Sequence, residues 1–272
     1  MCKVLKVSRS SYYKHLNKKP SNREIENKII QKEIMNIYSG SKKRYGAHKI
    51  NEALKEFKIN ISIKRTQRLM KELGIKSVIV KKYRPSSSKN KIEEKENVLK
   101  RDFKATTINE KWVTDITYIH TIKDGWCYLA SVMDLYSKKI IGHAMSKTID
   151  ASLALQAVKN AIKIQKPSSP LILHSDLGCQ YTSSAFKEYM DQTKIITHSF
   201  SSKGCPYDNA CIESFHASLK KEEVHLVKYF DFDAARLAVF EYIESWYNRK
   251  RIHSSIGYIT PQKCEDLAKK IA

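Results

Sequence analysis

The sequence predicts an α/β protein: a mixed sheet flanked by helices, preceded by a small all-helical module. Two observations carry this expectation. Three β-rich runs, over 110–121, 126–135 and 139–147, follow at short intervals and then give way to helix–strand alternation. The positive charge is also divided unevenly. Residues 1–105 hold 29 Lys+Arg and 10 Asp+Glu, a net of +19, whereas the remainder holds 50 − 29 = 21 and 28 − 10 = 18, a net of +3. The expected parts are therefore a basic helical module over 1–80, a charged linker over 81–105, an α/β core over 106–265 and a short tail over 266–272.

In the basic module, Ile25, Ile29, Ile30, Ile34 and Ile37 recur at helical spacing over 22–38. Residues 45–57 form a second helix with Ile50, Leu54 and Phe57 inward. Ser62 caps a third, in which Leu69, Met70 and Leu73 face inward and Lys64, Arg65, Arg68 and Lys71 outward, with Gly74 as its stop. Two helices joined by a short turn, the second basic on its outer side, are how a helix-turn-helix meets DNA. A solvated cationic face on an ordinary bundle explains a basic helix alone equally well; the +19 surplus favours DNA.

In the core, ASLALQAVKNAIKIQ is an amphipathic helix, LILHSD a short buried strand, SSAFKEYMDQ a helix and IITHSF a strand. Helices near 208–223 and 232–248 and one after Pro261 complete it.

Composition narrows the function classes. A net charge of +22 makes nucleic acid the default partner, ahead of an anionic membrane surface. A 42% apolar fraction is enough for a packed core. No apolar run reaches the ~18 residues of a membrane span, and charges interrupt the N-terminal stretch where a signal peptide would need an apolar core. The six cysteines form no CxxC and are sparse, which points to a reducing compartment. His198, Cys205, Cys211 and His216 have six, five and four intervening residues, unlike the usual zinc patterns. GxSxG, GxxxxGK[ST] and GxGxxG are absent, which argues against Ser-His-Asp hydrolysis and against ATP or NAD dependence.

Three acids stand out by their setting. Asp115 interrupts the apolar β-run WVTDITYI, where burial is costly without a cationic partner. Asp176 follows the strand LILHS, where open α/β sheets place ligand sites. Glu213 lies on the helix of DNACIESFHASLKKE, with Asp208 or Asn209 as cap. Each has a plain structural explanation alone: an edge strand, a capped turn, a solvated helix face. Together they supply oxygen ligands suited to Mg²⁺.

The segments KWVTDITYI, HSDLGCQYTS, GCPYDNACIESFHASLKKE and FEYIESWYNRKRIHSSIGYITP occur in the order seen in transposases of the IS-three group, within the DDE transposase and retroviral integrase superfamily. VSRSSYYKH, YGAHKINEALKEF and SIKRTQRLMKELGI resemble that family's opening and helix-turn-helix. The resemblance implies a ribonuclease-H-like fold with Asp115, Asp176 and Glu213 as a catalytic, metal-binding triad. It further implies two Mg²⁺ ions (Mn²⁺ able to substitute), nicking at transposon ends and strand transfer by the freed 3′-hydroxyl. The interval between Asp176 and Glu213, 213 − 176 − 1 = 36 residues, is one longer than usual in the family, and the extra residue falls near MDQTKII.

By the same resemblance Lys220 contacts the DNA end, while position 217, where a second basic residue is expected, holds Ala217. His174, Gln180 and Tyr181 flank Asp176, where DNA contact and ordinary packing both fit. Arg249 and Arg251 belong to a basic cluster, with Lys250 and His253, that suits phosphates or a solvated helix end equally. The implied partners are terminal inverted repeats, target DNA, an upstream-frame product or fusion, and further copies of the chain. The implied location is the bacterial cytoplasm, at the nucleoid. A ribonuclease-H-like nuclease and a non-catalytic DNA-binding protein from a decayed element are the competing readings.

Overall fold

The structure, a computed structural model, describes residues 2, 4, 6–17, 19–79, 96–202 and 205–271. It divides into two compact units, Met1–Val78 and Ile79–Ala272.

The first unit holds helices α1 (Arg9–Leu16), α2 (Asn22–Gly40), α3 (Ala47–Glu56) and α4 (Ile63–Glu72). Ser21 and Glu24 form a capping box at the start of α2, and Ser62 Oγ accepts from the Arg65 N–H at 3.2 Å to start α4. Gly74 (φ +67°) turns the chain after α4. Ile30, Ile34, Tyr38, Ile50, Leu54, Leu69 and Met70 are buried. Asn51 joins the helices from inside: its Nδ2 donates to Ile61 O at 2.8 Å and to Thr66 Oγ1 at 3.0 Å. Ile25, Ile29 and Phe57 are 49%, 60% and 56% exposed, so the inner face is narrower than apolar spacing suggested.

The second unit is built on β1 (Lys111–Thr121), β2 (Gly125–Asp134), β3 (Ile140–Ser146), β4 (Leu171–Ser175) and β5 (Ile196–Phe200). Their order is β3-β2-β1-β4-β5; β1, β2 and β3 pair antiparallel, while β4 runs parallel to β1 and β5 parallel to β4. Between the strands lie α5 (Ala151–Gln165), α6 (Cys179–Thr182) and α7 (Ser184–Gln192). After β5 come α8 (Ala210–Leu219), α9 (Phe232–Glu241) and α10 (Pro261–Ile271). This is the mixed sheet flanked by helices that the sequence predicted.

The main core packs α5 and α7 on one sheet face through Trp112, Val132, Leu153, Ala157, Val158, Ala161, Leu173 and Phe186. Gly142 on β3 sets how close α5 can come. A Cβ there would lie 2.4 Å from Ala157 O and 2.7 Å from Ala161 N.

Two expected segments, the linker and the tail, hold structure of their own. Residues 81–95 of the expected linker lie outside the described residues. Residues 96–105 are packed against the sheet unit: Leu99 is buried, its N–H donates to Ser199 Oγ at 3.0 Å, and Glu96 O accepts from Phe200 N–H at 3.0 Å. One leucine and an Arg101–Asp208 ion pair at 2.5 Å anchor a stretch whose charge content reads as solvated. The expected tail over 266–272 is helical through Ile271 in α10.

π-helical turns, Lys220–Val224 and Tyr242–Tyr247, follow α8 and α9. They meet at the buried Glu222, which accepts from Tyr242 Oη (3.0 Å), Trp246 Nε1 (3.1 Å) and Arg251 Nε (3.0 Å). Arg251 Nη2 lies 3.0 Å from the same carboxylate.

Gly142→Ala is expected to destabilise the fold by about 1–3 kcal/mol, because helix backbone, not a flexible side chain, would have to give way. Gly40→Ala, where a Cβ meets nothing within 4 Å, serves as the control and should leave stability within about 1 kcal/mol. Urea unfolding of the two variants checks the contrast.

Candidate active site

β1 and β4 pair in register through Val113 and His174. Two residues further along each chain stands an aspartate, Asp115 on β1 and Asp176 just past β4. The two acids thus emerge side by side where the β1–β4 parallel pairing ends, Asp115 in mid-β1 and Asp176 past the carboxyl end of β4. Asp115 Oδ1 accepts from the Ile116 N–H at 2.8 Å. Asp176 Oδ1 accepts from the Gly178 N–H at 3.0 Å.

α8 brings the third acid. Asn209, at its start, donates from Nδ2 to Thr114 O at 3.1 Å and ties the helix to β1 beside Asp115. Asp208 holds Arg101 and the Ser202 N–H (2.8 Å) instead. Neither side chain caps α8, as the sequence had suggested. Glu213 lies on the first turn of α8 and is exposed. His216, three residues on, is buried with Nδ1 3.4 Å from Asp115 Oδ2 and Nε2 3.4 Å from Ser131 Oγ. From α6, Tyr181 Oη meets Thr114 Oγ1 at 3.1 Å.

The three carboxyls act on one another. Burial and then the Asp115 charge push Asp176 up to about 6, against the Gly178 hydrogen bond. Burial, Asp115 and Asp176 push Glu213 up, with His216 opposing. Asp176 and Glu213 thus both feel the Asp115 charge, and neighbouring carboxyls of this kind are donors suited to a hard divalent cation. Among the described residues no three His, Cys, Asp or Glu side chains converge into a ready-made ligand cage.

Gly178 sits close against the Asp176 carboxylate. Its φ of −59° is open to any residue, but a Cβ would lie 2.9 Å from Asp176 Oδ1 and 3.0 Å from Gln180 Oε1. Lys220 is half-buried, with Nζ 3.9 Å from the centroid of the Tyr118 ring. Burial lowers its pKa and the Asp115 charge partly restores it.

The other sequence-predicted site residues separate into two groups. Lys64, Arg68, Lys71 and Arg249 are exposed, with Arg68 3.7 Å from Glu72. Arg65 instead reaches back to α2, 2.8 Å from Glu26 Oε2 and 2.8 Å from Asn27 Oδ1. Arg251 is the clear correction: it is consumed by Glu222 inside the fold, so its charge is not presented to phosphates. His174 is fully buried between Ser199 (2.9 Å) and Ser201 (3.1 Å), and burial lowers its pKa to about 4. His216, Gly178 and Asn209 were missed in these roles. The first two carried a signal in their spacing: three residues after Glu213 and two after Asp176.

Comparison with known proteins places the chain in a family. Two family models, each described as integrase core domain, match residues 105–206 and 194–261, and an HTH-like domain matches 24–83. The chain is 35% identical over 269 residues to Transposase InsF for insertion sequence IS3A of Escherichia coli K12, covering 98% of this chain and 93% of that one. It belongs to the IS3 family of transposases. The Insertion element IS600 uncharacterized 31 kDa protein of Shigella sonnei is 36% identical over 262 residues, 96% of each chain. The HTLV-2 integrase catalytic core domain, solved in complex with magnesium, matches 60% of this chain at 18% identity and a TM-score of 0.45. The transposase therefore carries an integrase core domain and acts as a DDE-type polynucleotidyl transferase in DNA transposition. Among the described residues no helix is long and apolar enough to cross a membrane.

The raised Asp176 pKa has a stability consequence with a definite sign. The folded transposase holds this proton more tightly than the unfolded chain, so the cost of ionising it is fully present above about pH 6 and disappears as pH falls towards 3.8. Asp176→Asn should stabilise the metal-free protein by about 1–3 kcal/mol at pH 8, a gain that shrinks at pH 4. Denaturant unfolding at the two pH values measures it, and an equal gain at both would contradict the origin given.

Proposed function

We propose that this transposase nicks DNA at the ends of its element and joins the freed 3′-hydroxyl to a new phosphodiester, with Asp115, Asp176 and Glu213 as catalytic ligands to two Mg²⁺ ions, which Mn²⁺ can replace. The observation that carries the reading is the group of neighbouring carboxyls where the β1–β4 pairing ends, completed by α8. Asp115, whose charge acts on both of the others, would hold the cations together with Asp176 and Glu213. When bound, the cations stabilise the charge that develops on the attacking and leaving oxygens of an in-line displacement.

The chain's own residues position the reactants. In the first step water attacks phosphorus and the P–O3′ bond breaks, leaving a 3′-hydroxyl and a 5′-phosphate. In the second, that hydroxyl attacks another phosphodiester and releases a new 3′-hydroxyl. Each step makes one P–O bond and breaks one, so joining needs no nucleotide cofactor. His216 holds the Asp115 carboxylate from the side of Ser131. Gly178 leaves room for the Asp176 carboxylate. Lys220 lies within the field of Asp115 and is the cation suited to grip the phosphate beside the scissile bond.

The module over 1–80 reads the terminal inverted repeats, with Lys64, Arg68, Lys71 and in part Arg65 as phosphate or base contacts. The core over 106–265 performs the chemistry on repeat and target, with Arg249 as a further phosphate contact. An upstream-frame product or fusion and further copies of the chain bring two ends together, at the nucleoid in the cytoplasm.

Asp115→Asn, Asp176→Asn and Glu213→Gln should each lower joining of oligonucleotides bearing the element's terminal repeats by ~10³-fold or more, while duplex binding without metal is retained. Gel-resolved joining with Mg²⁺ or Mn²⁺, and its loss on chelation, is the measurement. Wild-type joining by Asp115→Asn would defeat the assignment.

A further inference from the structure

Next to the carboxyl group lies a set of side chains that the reading above does not use. Tyr118 and His120 on β1 and Trp126 on β2 share one sheet face, His120 directly opposite Trp126 and Tyr118 diagonal to it. Trp126 is gripped by both neighbours at nearly right angles: the Tyr118 ring centroid is 5.2 Å away at 85°, that of His120 4.9 Å away at 78°. Yet Trp126 is 53% and Tyr118 49% exposed, and His120 is exposed. Large rings held rigid on a ladder, with half their surface in water, form a pre-ordered apolar platform. Covering it costs little side-chain entropy.

The charges around the platform say what covers it. Lys220 Nζ sits 3.9 Å over the Tyr118 ring and within the field of Asp115, so this lysine links the platform to the candidate active site although strand alternation sets Asp115 and Tyr118 on opposite faces of β1. Lys123 is exposed in the turn at the other end of the hairpin. The one acid in that turn, Asp124, is paired with Lys147 at 2.9 Å. An aromatic surface flanked by cations suits a nucleic-acid strand whose base lies flat on a ring while its phosphates meet the lysines. Bases inside a duplex have no free face, so the occupant must be unpaired.

We propose that Tyr118, His120 and Trp126 form a stacking platform for an unpaired base next to the scissile phosphate, holding the DNA end splayed while it is cut or joined. The platform rests on the reading of Asp115 as part of the reaction centre. Its role is to bind one DNA form, the open end, over the closed duplex.

The test uses the full chain in EDTA, where binding is read without chemistry. The probes are a blunt duplex and the same duplex with about five unpaired thymines on each strand at one end. The wild type is expected to bind the forked probe about 10-fold more tightly, within the range of one or two stacked bases. Trp126→Ala should bring the ratio close to 1 while leaving blunt-duplex affinity within about 2-fold. Trp126→Phe, which keeps a ring, should retain most of the preference.

Because Trp112 and Trp246 are buried, forked DNA should quench fluorescence from Trp126, and this quench should vanish in Trp126→Ala. An unchanged ratio in a normally folded Trp126→Ala protein overturns the proposal. So does a wild type with no fork preference. If Trp126→Ala alters sedimentation and not the ratio, the face belongs to a second copy of the chain and the proposal also fails. Asp115→Asn separates the two readings: it should lose joining and keep fork preference.

Discussion

Repulsion among three carboxyls is the constraint around which the catalytic unit is organised. Asp115 and Asp176 stand at matching steps beyond a parallel ladder, and Glu213 faces them from α8. Left alone, such groups would swing apart into solvent or take up protons; Asp176 goes part of the way, with its pKa pushed up to about 6. What keeps them together is the surrounding structure. The β1–β4 ladder fixes the first two backbones. Thr114, one residue before Asp115, receives Asn209 through its carbonyl and Tyr181 through its hydroxyl, so α8 and α6 are tied to the same point of β1. His216 offers Asp115 a partner that a neutral or protonated imidazole can supply. Local electrostatic cost at a site, held by rigid elements around it, is how function departs from maximal stability.

The Glu222–Arg251 pair belongs to the same account, at one remove. A buried ion pair is weak evidence for stability, since desolvation offsets most of its attraction. Its geometry is specific, however. Tyr242, Trp246 and Arg251 all converge on one carboxylate two residues past Lys220. The turn that carries Lys220 is thereby fixed against the segment after α9. The side chain that faces both Asp115 and Tyr118 comes from a backbone with little freedom to drift. The residues that look from sequence like a basic cluster are split by this arrangement: Arg249 faces water and Arg251 faces inward.

Most of the fold was legible because local signals and global packing agree. Helix α5 begins and ends where its amphipathic run does, Ser62 caps α4, and the β-runs become adjacent strands. The ordered motifs carried the expectation of a triad, and of it the structure shows Asp115 and Asp176 at matching steps past the β1–β4 ladder. What could not be read were matters of partner choice. Arg251 and Arg249 differ by two positions in a π-turn exit, and only the buried Glu222 decides which one is consumed. Leu99 is one apolar residue in a charged stretch, and its anchor, Ser199, lies 100 positions away. Gly178 has ordinary backbone angles, so its closeness to the Asp176 carboxylate is visible only once that carboxylate is in place beside it.

The split of charge between the two parts of the chain follows from the same chemistry. A surface that holds DNA by charge gains affinity with every phosphate it neutralises, whatever the sequence bound. The stretch with a net of +19 therefore supplies hold and, through its helix-turn-helix, register. A catalytic unit with the same surplus would grip any duplex across its face and would draw the triad carboxylates into salt bridges with its own lysines. Over 106–272 the net is only +3, and there Lys139 and Arg251 are already paired with Glu265 and Glu222. On the reading proposed above, engagement at the site comes from a few placed groups, the carboxyls, Lys220 and the rings beside it, and selection of an open DNA end is then a property of local geometry, with the basic module setting how often the encounter occurs.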